Sequence, residues 1–184
     1  VLSVPTSIAG DEGQPLAAVL AASDADLADV PAISATGLPP GVIFTDNGDG
    51  TADISWTPSF TDSGIYSATI TATDQDGLTA QAGLNLVIAD VNQPPAFAPL
   101  ADATVDEGST LSVVVTATDV DNDIQSLSVS SLPPGLVFTD NSNGVGILDI
   151  SPDFDDAGIF DVAFTAIDSI NQLGQVTMTV TIVD

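Results

Sequence analysis

The chain has 184 residues with no lysine, arginine or histidine, against 24 Asp and 2 Glu, for a formal net charge of −26. Without His, Cys or Lys it lacks the usual general base, thiol nucleophile and amine nucleophile, and without Lys or Arg it has no basis for holding phosphate or nucleic acid. Any strong cation must come from outside, and oxygen ligands at this density suit a hard divalent ion, Ca²⁺ first.

Hydrophobic residues make up 44% of the chain and mean hydropathy is +0.37, enough apolar material for a core. No run of about 18 apolar residues and no basic-plus-apolar leader is read in it. The absence of Cys excludes disulfides and Cys-based metal sites. Metal clips could take over the stabilising role that disulfides have in small secreted domains.

In chain order, the first element is the turn Asp11-Glu12-Gly13. The alternating run Leu16, Ala18, Leu20 follows, and then Asp24-Ala25-Asp26. Leu38-Pro39-Pro40-Gly41 is a turn, and Asp46-Asn47-Gly48-Asp49-Gly50 reads as a hairpin connection into Ala52, Ile54, Trp56. Trp56 continues an inward face and is assigned to the core rather than to a sugar-stacking platform. Asp62-Ser63-Gly64-Ile65-Tyr66 resembles a tyrosine corner. The strand Tyr66, Ala68, Ile70, Ala72 leads to Asp74, and Leu84, Leu86, Ile88 leads to Asp90.

The same elements then recur. Asp11-Glu12-Gly13 returns as Asp106-Glu107-Gly108 (106 − 11 = 95), and Asp24-Ala25-Asp26 as Asp119-Val120-Asp121 at the same offset. From Leu132-Pro133-Pro134-Gly135 onward the offset is 94, so Asp62, Asp74 and Asp90 match Asp156, Asp168 and Asp184. One residue is thus lost from a loop of the second copy. Fixed-period similarity marks a tandem array. We expect two repeats, 1–92 and 93–184, taken from a longer string. About seven short alternating strands per repeat and no helical period predict an all-β fold of two tandem immunoglobulin- or cadherin-like sandwiches placed end to end. Phe160 replaces the corner tyrosine in the second repeat.

The Leu-Pro-Pro-Gly turns followed by Phe44 or Phe138, then Thr57-Pro58 or Ser151-Pro152, then Asp-x-Gly-x-Tyr/Phe, then Thr73-Asp74, resemble the putative-Ig and dystroglycan-type cadherin-like repeats of large secreted bacterial proteins. The resemblance implies Ca²⁺ ligands at the repeat junction. These are Glu12 as the base glutamate, Asp62 at the mid-repeat acidic motif, Asp90 and Asn92 in the linker, Asp119 and Asp121 as the Asp-x-Asp, and Asp168 as the late aspartate. Two departures reduce the expected number of ions to one or two. The linker, Asp90 to Phe97, is a residue short with Gln93 where a second Asp is expected, and Asp62 stands without an acidic neighbour. Asp24, Asp26 and Asp74 would form half a site toward a preceding repeat, and Asp156 could serve a following one. Asp119-Val120-Asp121-Asn122-Asp123 is not an EF-hand, because Ile124 and Ser130 hold the positions that need Gly and Glu. It reads instead as a strand-end ligand set.

The function expected is a non-catalytic, Ca²⁺-stiffened spacer in an extracellular or bacterial cell-surface adhesin or matrix protein. Its partners would be neighbouring repeats of the same polypeptide, with a polysaccharide or cell-surface ligand as a further option. No nucleic acid and no membrane insertion are expected, and the state is monomeric. The alternative is a Ca²⁺-dependent polysaccharide-binding or self-associating module, or an appendage of a secreted hydrolase.

Overall fold

A computed structural model describes residues 1–25 and 29–184. Among the described residues there are sixteen strands and no helix. The first compact unit, Val1–Val91, holds β1 (Leu2–Ser3), β2 (Ser7–Asp11), β3 (Leu16–Ala22), β4 (Ala32–Thr36), β5 (Ile43–Asp46), β6 (Thr51–Trp56), β7 (Gly64–Thr73) and β8 (Thr79–Ala89). The second, Asn92–Asp184, holds β9 (Ala96–Phe97), β10 (Ala103–Asp106), β11 (Leu111–Thr118), β12 (Ser126–Val129), β13 (Leu136–Asp140), β14 (Val145–Ile150), β15 (Gly158–Ile167) and β16 (Leu173–Val183).

Each unit is two four-stranded sheets. In the first they run β1-β3-β6-β5 and β2-β8-β7-β4; in the second, β9-β11-β14-β13 and β10-β16-β15-β12. All pairings are antiparallel except β2 with β8 and β10 with β16, which are parallel. Each unit thus has eight strands rather than about seven. Strands β1 and β9 are only two residues long, and the edge strands β2 and β10 are too short to show a clear alternation.

Period-two patterning puts one face of every long strand into the core. Leu20, Ile54, Ile70, Leu84 and Leu86 are buried in the first unit. Val115, Leu148, Phe164, Met178 and Val180 hold the same role in the second. Burying each such side chain contributes about 1.5–3 kcal/mol. Trp56 is 6% exposed within this core and meets Tyr66 edge-on at 5.5 Å. The Tyr66 hydroxyl donates to the Asp62 carbonyl at 3.0 Å, closing the tyrosine corner.

Several carboxylates are fasteners of this framework. Asp46 Oδ2 accepts the Ile33 N–H at 3.1 Å, and Asp140 Oδ2 accepts that of Leu127 at 2.9 Å, each tying one sheet to the other. The end of β11 is anchored by the Ala117 N–H donating to the Gly144 carbonyl at 2.7 Å. Gly144 has φ +74°, and a Cβ there would lie 2.3 Å from the Ala117 oxygen, so the approach requires glycine. That anchor positions the acidic loop beginning at Asp119.

Candidate metal centre

Glu12 sits in the turn that follows β2. The turn is closed by the Gln14 N–H on the Asp11 carbonyl at 3.3 Å and by the Gly13 N–H on the Pro58 carbonyl at 2.8 Å. The Glu12 N–H donates to the Ala89 carbonyl at 3.1 Å, which fixes the residue beside the end of β8. Its side chain is 1% exposed. Oε2 accepts the Val91 N–H at 3.1 Å, while Oε1 is buried with no donor. An Asp90 carboxylate oxygen lies within 4.8 Å of one from Glu12, with Asp90 itself exposed. A buried carboxylate oxygen without a donor is costly, and no side chain of this chain can supply a positive charge. The repeat-mate Glu107 differs: it is half-buried, and its Oε1 accepts the Ala157 N–H at 2.9 Å.

Asp62 is held by the turn before β7. Its Oδ2 accepts the Ser59 N–H at 2.8 Å and the Ser59 hydroxyl at 2.7 Å. The Ser59 hydroxyl first, then the Ser59 N–H, hold this carboxyl below the usual range. The structure therefore places Asp62 in a turn lock.

In the second unit, two loops at one end converge. Asp119, Asp121 and Asp123 follow β11, and Asp168 follows β15. Asp119 Oδ1 accepts the Asp121 N–H at 2.8 Å. Asp121 Oδ2 accepts the Gln93 N–H at 2.6 Å. Asp123 Oδ2 accepts both the N–H and the hydroxyl of Ser169. Asp168 is 1% exposed; its Oδ1 accepts the Ile170 N–H at 3.0 Å and the Gln172 N–H at 2.7 Å, and its Oδ2 accepts the Asn92 side-chain amide at 2.8 Å. One oxygen from each of Asp119, Asp123 and Asp168 lies within 4.8 Å of the other two. Asp119 Oδ2 and Asp123 Oδ1 are buried without a donor.

The electrostatics follow from that geometry. Burial pushes the Asp119 carboxyl up; the Asp121 N–H opposes this, and the charges of Asp123, Asp121 and Asp168 add to it. Burial also pushes Asp168 up, but the Asn92 amide and the Gln172 and Ile170 N–H groups outweigh it, leaving its carboxyl below the usual range. Of the expected ligands, Asn92, Asp119 and Asp168 are thus brought together in one unit, with Asp121 two residues along the same loop.

The site residues that the repeat comparison missed are Asp29 and the specific part played by Asp123. Asp29 Oδ2 accepts the Gln75 N–H at 3.1 Å and its Oδ1 is buried without a donor. Asp123 and Ser169 repeat this arrangement, each 94 residues on (123 − 29 and 169 − 75). The signal was available, because the change of offset falls between Asp26/Asp121 and Asp29/Asp123. Asp74 Oδ1 accepts the Leu78 N–H at 2.7 Å, as Asp168 accepts that of Gln172. Asp26 lies outside the described residues.

Residues 1–89 match the family described as "Putative Ig domain". Among solved structures, the extracellular cadherin domains 3–6 of Protocadherin Gamma B2 are 18% identical with a TM-score of 0.65, covering 99% of this chain and 46% of that one. PcdhgB3 EC1-4 is 15% identical with a TM-score of 0.70, covering 100% and 49%. At such identity these likenesses show the fold alone: the chain is Ig-like and cadherin-like. An endo-fucoidan hydrolase, MfFcnA4 from glycoside hydrolase family 107, is 19% identical with a TM-score of 0.46, and this chain spans 98% of its own length but 28% of the hydrolase's. No curated protein sequence matches the chain.

The donor set is all oxygen, mostly carboxylate, with buried oxygens that have no donor. Zinc sites favour nitrogen and sulfur ligands, which this chain cannot offer from His or Cys. Calcium takes several carboxylate and carbonyl oxygens in flexible geometry. The residues present fit that ion.

Proposed function

We propose that this chain is a pair of calcium-stiffened spacer repeats from a large extracellular bacterial adhesin or matrix protein. The observation that carries this reading is Glu12, a side chain 1% exposed whose Oε1 meets no donor in a chain without one basic side chain. Each unit would hold calcium through its own acidic residues: Glu12 and Asp90 in the first, and Asn92, Asp119, Asp121 and Asp168 in the second. Asp62, occupied with Ser59, would act by shaping its turn.

A rigid spacer has no need of catalytic groups, and the sequence lacks His, Cys, Lys and Arg. Its partners would be the neighbouring repeats of the same polypeptide. An extracellular setting supplies calcium at the concentrations that weak module sites require, with Kd on the order of 10⁻⁴–10⁻³ M.

Calorimetric titration of the full chain with CaCl₂ tests the reading. The expected result is that the unaltered chain binds in that range and that Glu12→Gln weakens one class of sites by about tenfold. Heats no larger than those of an ionic-strength-matched NaCl titration would remove the calcium reading and leave an acidic, solvated surface.

A further inference from the structure

Strand β4 is one edge of its sheet, and β7 is its sheet neighbour. Strand β12 stands in the same place in the second unit, beside β15. An edge strand turns the N–H and C=O of every second residue away from its neighbour, and that row is a template on which another chain can add a strand. Ile33 is such a residue, because its N–H leaves the β7 ladder and donates to Asp46 Oδ2 at 3.1 Å. The Leu127 N–H likewise donates to Asp140 Oδ2 at 2.9 Å. Both carboxylates come from the last residue of an edge strand in the opposite sheet, β5 or β13. Each is aimed by its second oxygen. Asp46 Oδ1 accepts the Gly48 N–H at 3.1 Å, and Asp140 Oδ1 accepts the Ser142 N–H at 2.8 Å. The arrangement recurs at 94 residues (140 − 46, 127 − 33 and 142 − 48), although the turns differ, Asn47-Gly48 against Asn141-Ser142.

We infer that Asp46 and Asp140 are edge guards: each fills an outward donor that a second copy of this chain would need in order to add a strand to β4 or β12. The inference goes beyond the spacer reading and does not use calcium. An incoming strand must offer a carbonyl to the Ile33 or Leu127 N–H and donate to the carbonyl of the same residue. The carboxylate already holds that N–H, and its charge repels the incoming carbonyl. Little open edge is left. β4 has five residues and β12 four, so the outward positions are Ile33 and Ala35 in one and Leu127 and Val129 in the other. The first of each pair is filled. Lysine is a common charge for blunting an edge, and this chain has none, so carboxylates are the side-chain charges it can place there. Tandem repeats of similar sequence need such a block, because copies that pair by their edges misassemble.

The test is sedimentation velocity of the full chain in EDTA and about 1 M NaCl, where a Debye length of about 3 Å screens the general repulsion between copies. It compares the unaltered protein, Asp46→Ala/Asp140→Ala, and the control Asp76→Ala/Asp155→Ala, which removes the same charge from exposed turns outside β4 and β12. Far-ultraviolet circular dichroism shows whether each is folded. If the alanine variant does not fold, Asp46→Asn/Asp140→Asn replaces it; it keeps the side-chain size but has one oxygen where two N–H groups were served. The expected result is that the unaltered chain and the control stay monomeric while the guard variant forms dimers or larger species. A folded guard variant that stays monomeric would overturn the inference, and so would association of the control to the same extent. Amide hydrogen exchange of the unaltered chain, followed by NMR, checks the guard without any substitution. The Ile33 and Leu127 N–H groups should exchange at least about tenfold more slowly than those of Ala35 and Val129. Equal rates would mean that the edge donors are not held, and would overturn the inference as well.

Discussion

Glu12 accepts the Val91 N–H on Oε2 at 3.1 Å and leaves Oε1 buried without a donor. Half of this carboxylate thus organises the end of β8, and the other half is uncompensated. Glu12→Gln should separate the two roles, since the amide oxygen can still accept from Val91 while the charge is gone. In chelator the variant should be at least as stable as the parent, because a buried charge has been removed. In calcium it should gain less stability than the parent. Thermal melts of both proteins under both conditions measure this, and an equal calcium response would show that Glu12 does not serve an ion.

The tyrosine corner gives a prediction free of metal. Tyr66→Phe removes the 3.0 Å bond to the Asp62 carbonyl and makes the first unit resemble the second, where Phe160 already stands. The expected cost is about 0.5–1.5 kcal/mol, the net value of one hydrogen bond. Denaturant unfolding with and without calcium should show the same loss in both.

Two carboxyls should give pH dependences of opposite sign. Asp62 is held below its ordinary range by Ser59, so its contribution is fully present above the unfolded value of about 3.9 and is lost as pH falls through the lower folded value. Asp119 is pushed up by burial and by its acidic neighbours. In chelator its ionisation therefore removes stability as pH rises from about 3.9 through the higher folded value. Above that window Asp119→Asn should be more stable than the parent in chelator, and Asp62→Asn less stable. Melting against pH for the three proteins reads both signs.

Much of the fold was legible because its signals are local. Ile54 and Trp56 alternate with outward residues, the Leu-Pro-Pro-Gly turns recur at a fixed offset, and Tyr66 follows Asp62 at the corner spacing. Strands β2 and β10 were not, because each is a short edge whose inward residues, Ile8 or Ala103 and Val105, are too few to show a period. The site was legible in part. Asn92, Asp119 and Asp168 follow from the resemblance, and the structure does bring them together. The difference between Glu12 and Glu107 was hidden, since the same residue at the same repeat position is buried in one unit and bonded to Ala157 in the other. Packing around the side chain decides that, and no pattern in the chain records it. The Ser59 lock on Asp62 was hidden too, because any Ser-x-x-Asp turn reads alike.

The core offers a control for these tests. Ile54→Ala deletes a side chain 1% exposed between the sheets and should cost about 2–5 kcal/mol. The loss should be equal with and without calcium, because Ile54 belongs to the buried apolar cluster of the first unit. A calcium-dependent loss, read by denaturant unfolding, would mean that the ion acts through the core rather than at the acidic ends.

The most direct measurement of the central claim is a calorimetric melt of the full chain in EDTA and in about 10 mM CaCl₂, with NaCl added to match ionic strength. Screening of the −26 charge is then equal, and only specific binding differs. With Kd of 10⁻⁴–10⁻³ M, linkage gives about 1.4–2.7 kcal/mol of stabilisation per site. A clear rise of the midpoint in calcium is the predicted result, and coincident midpoints would contradict the account.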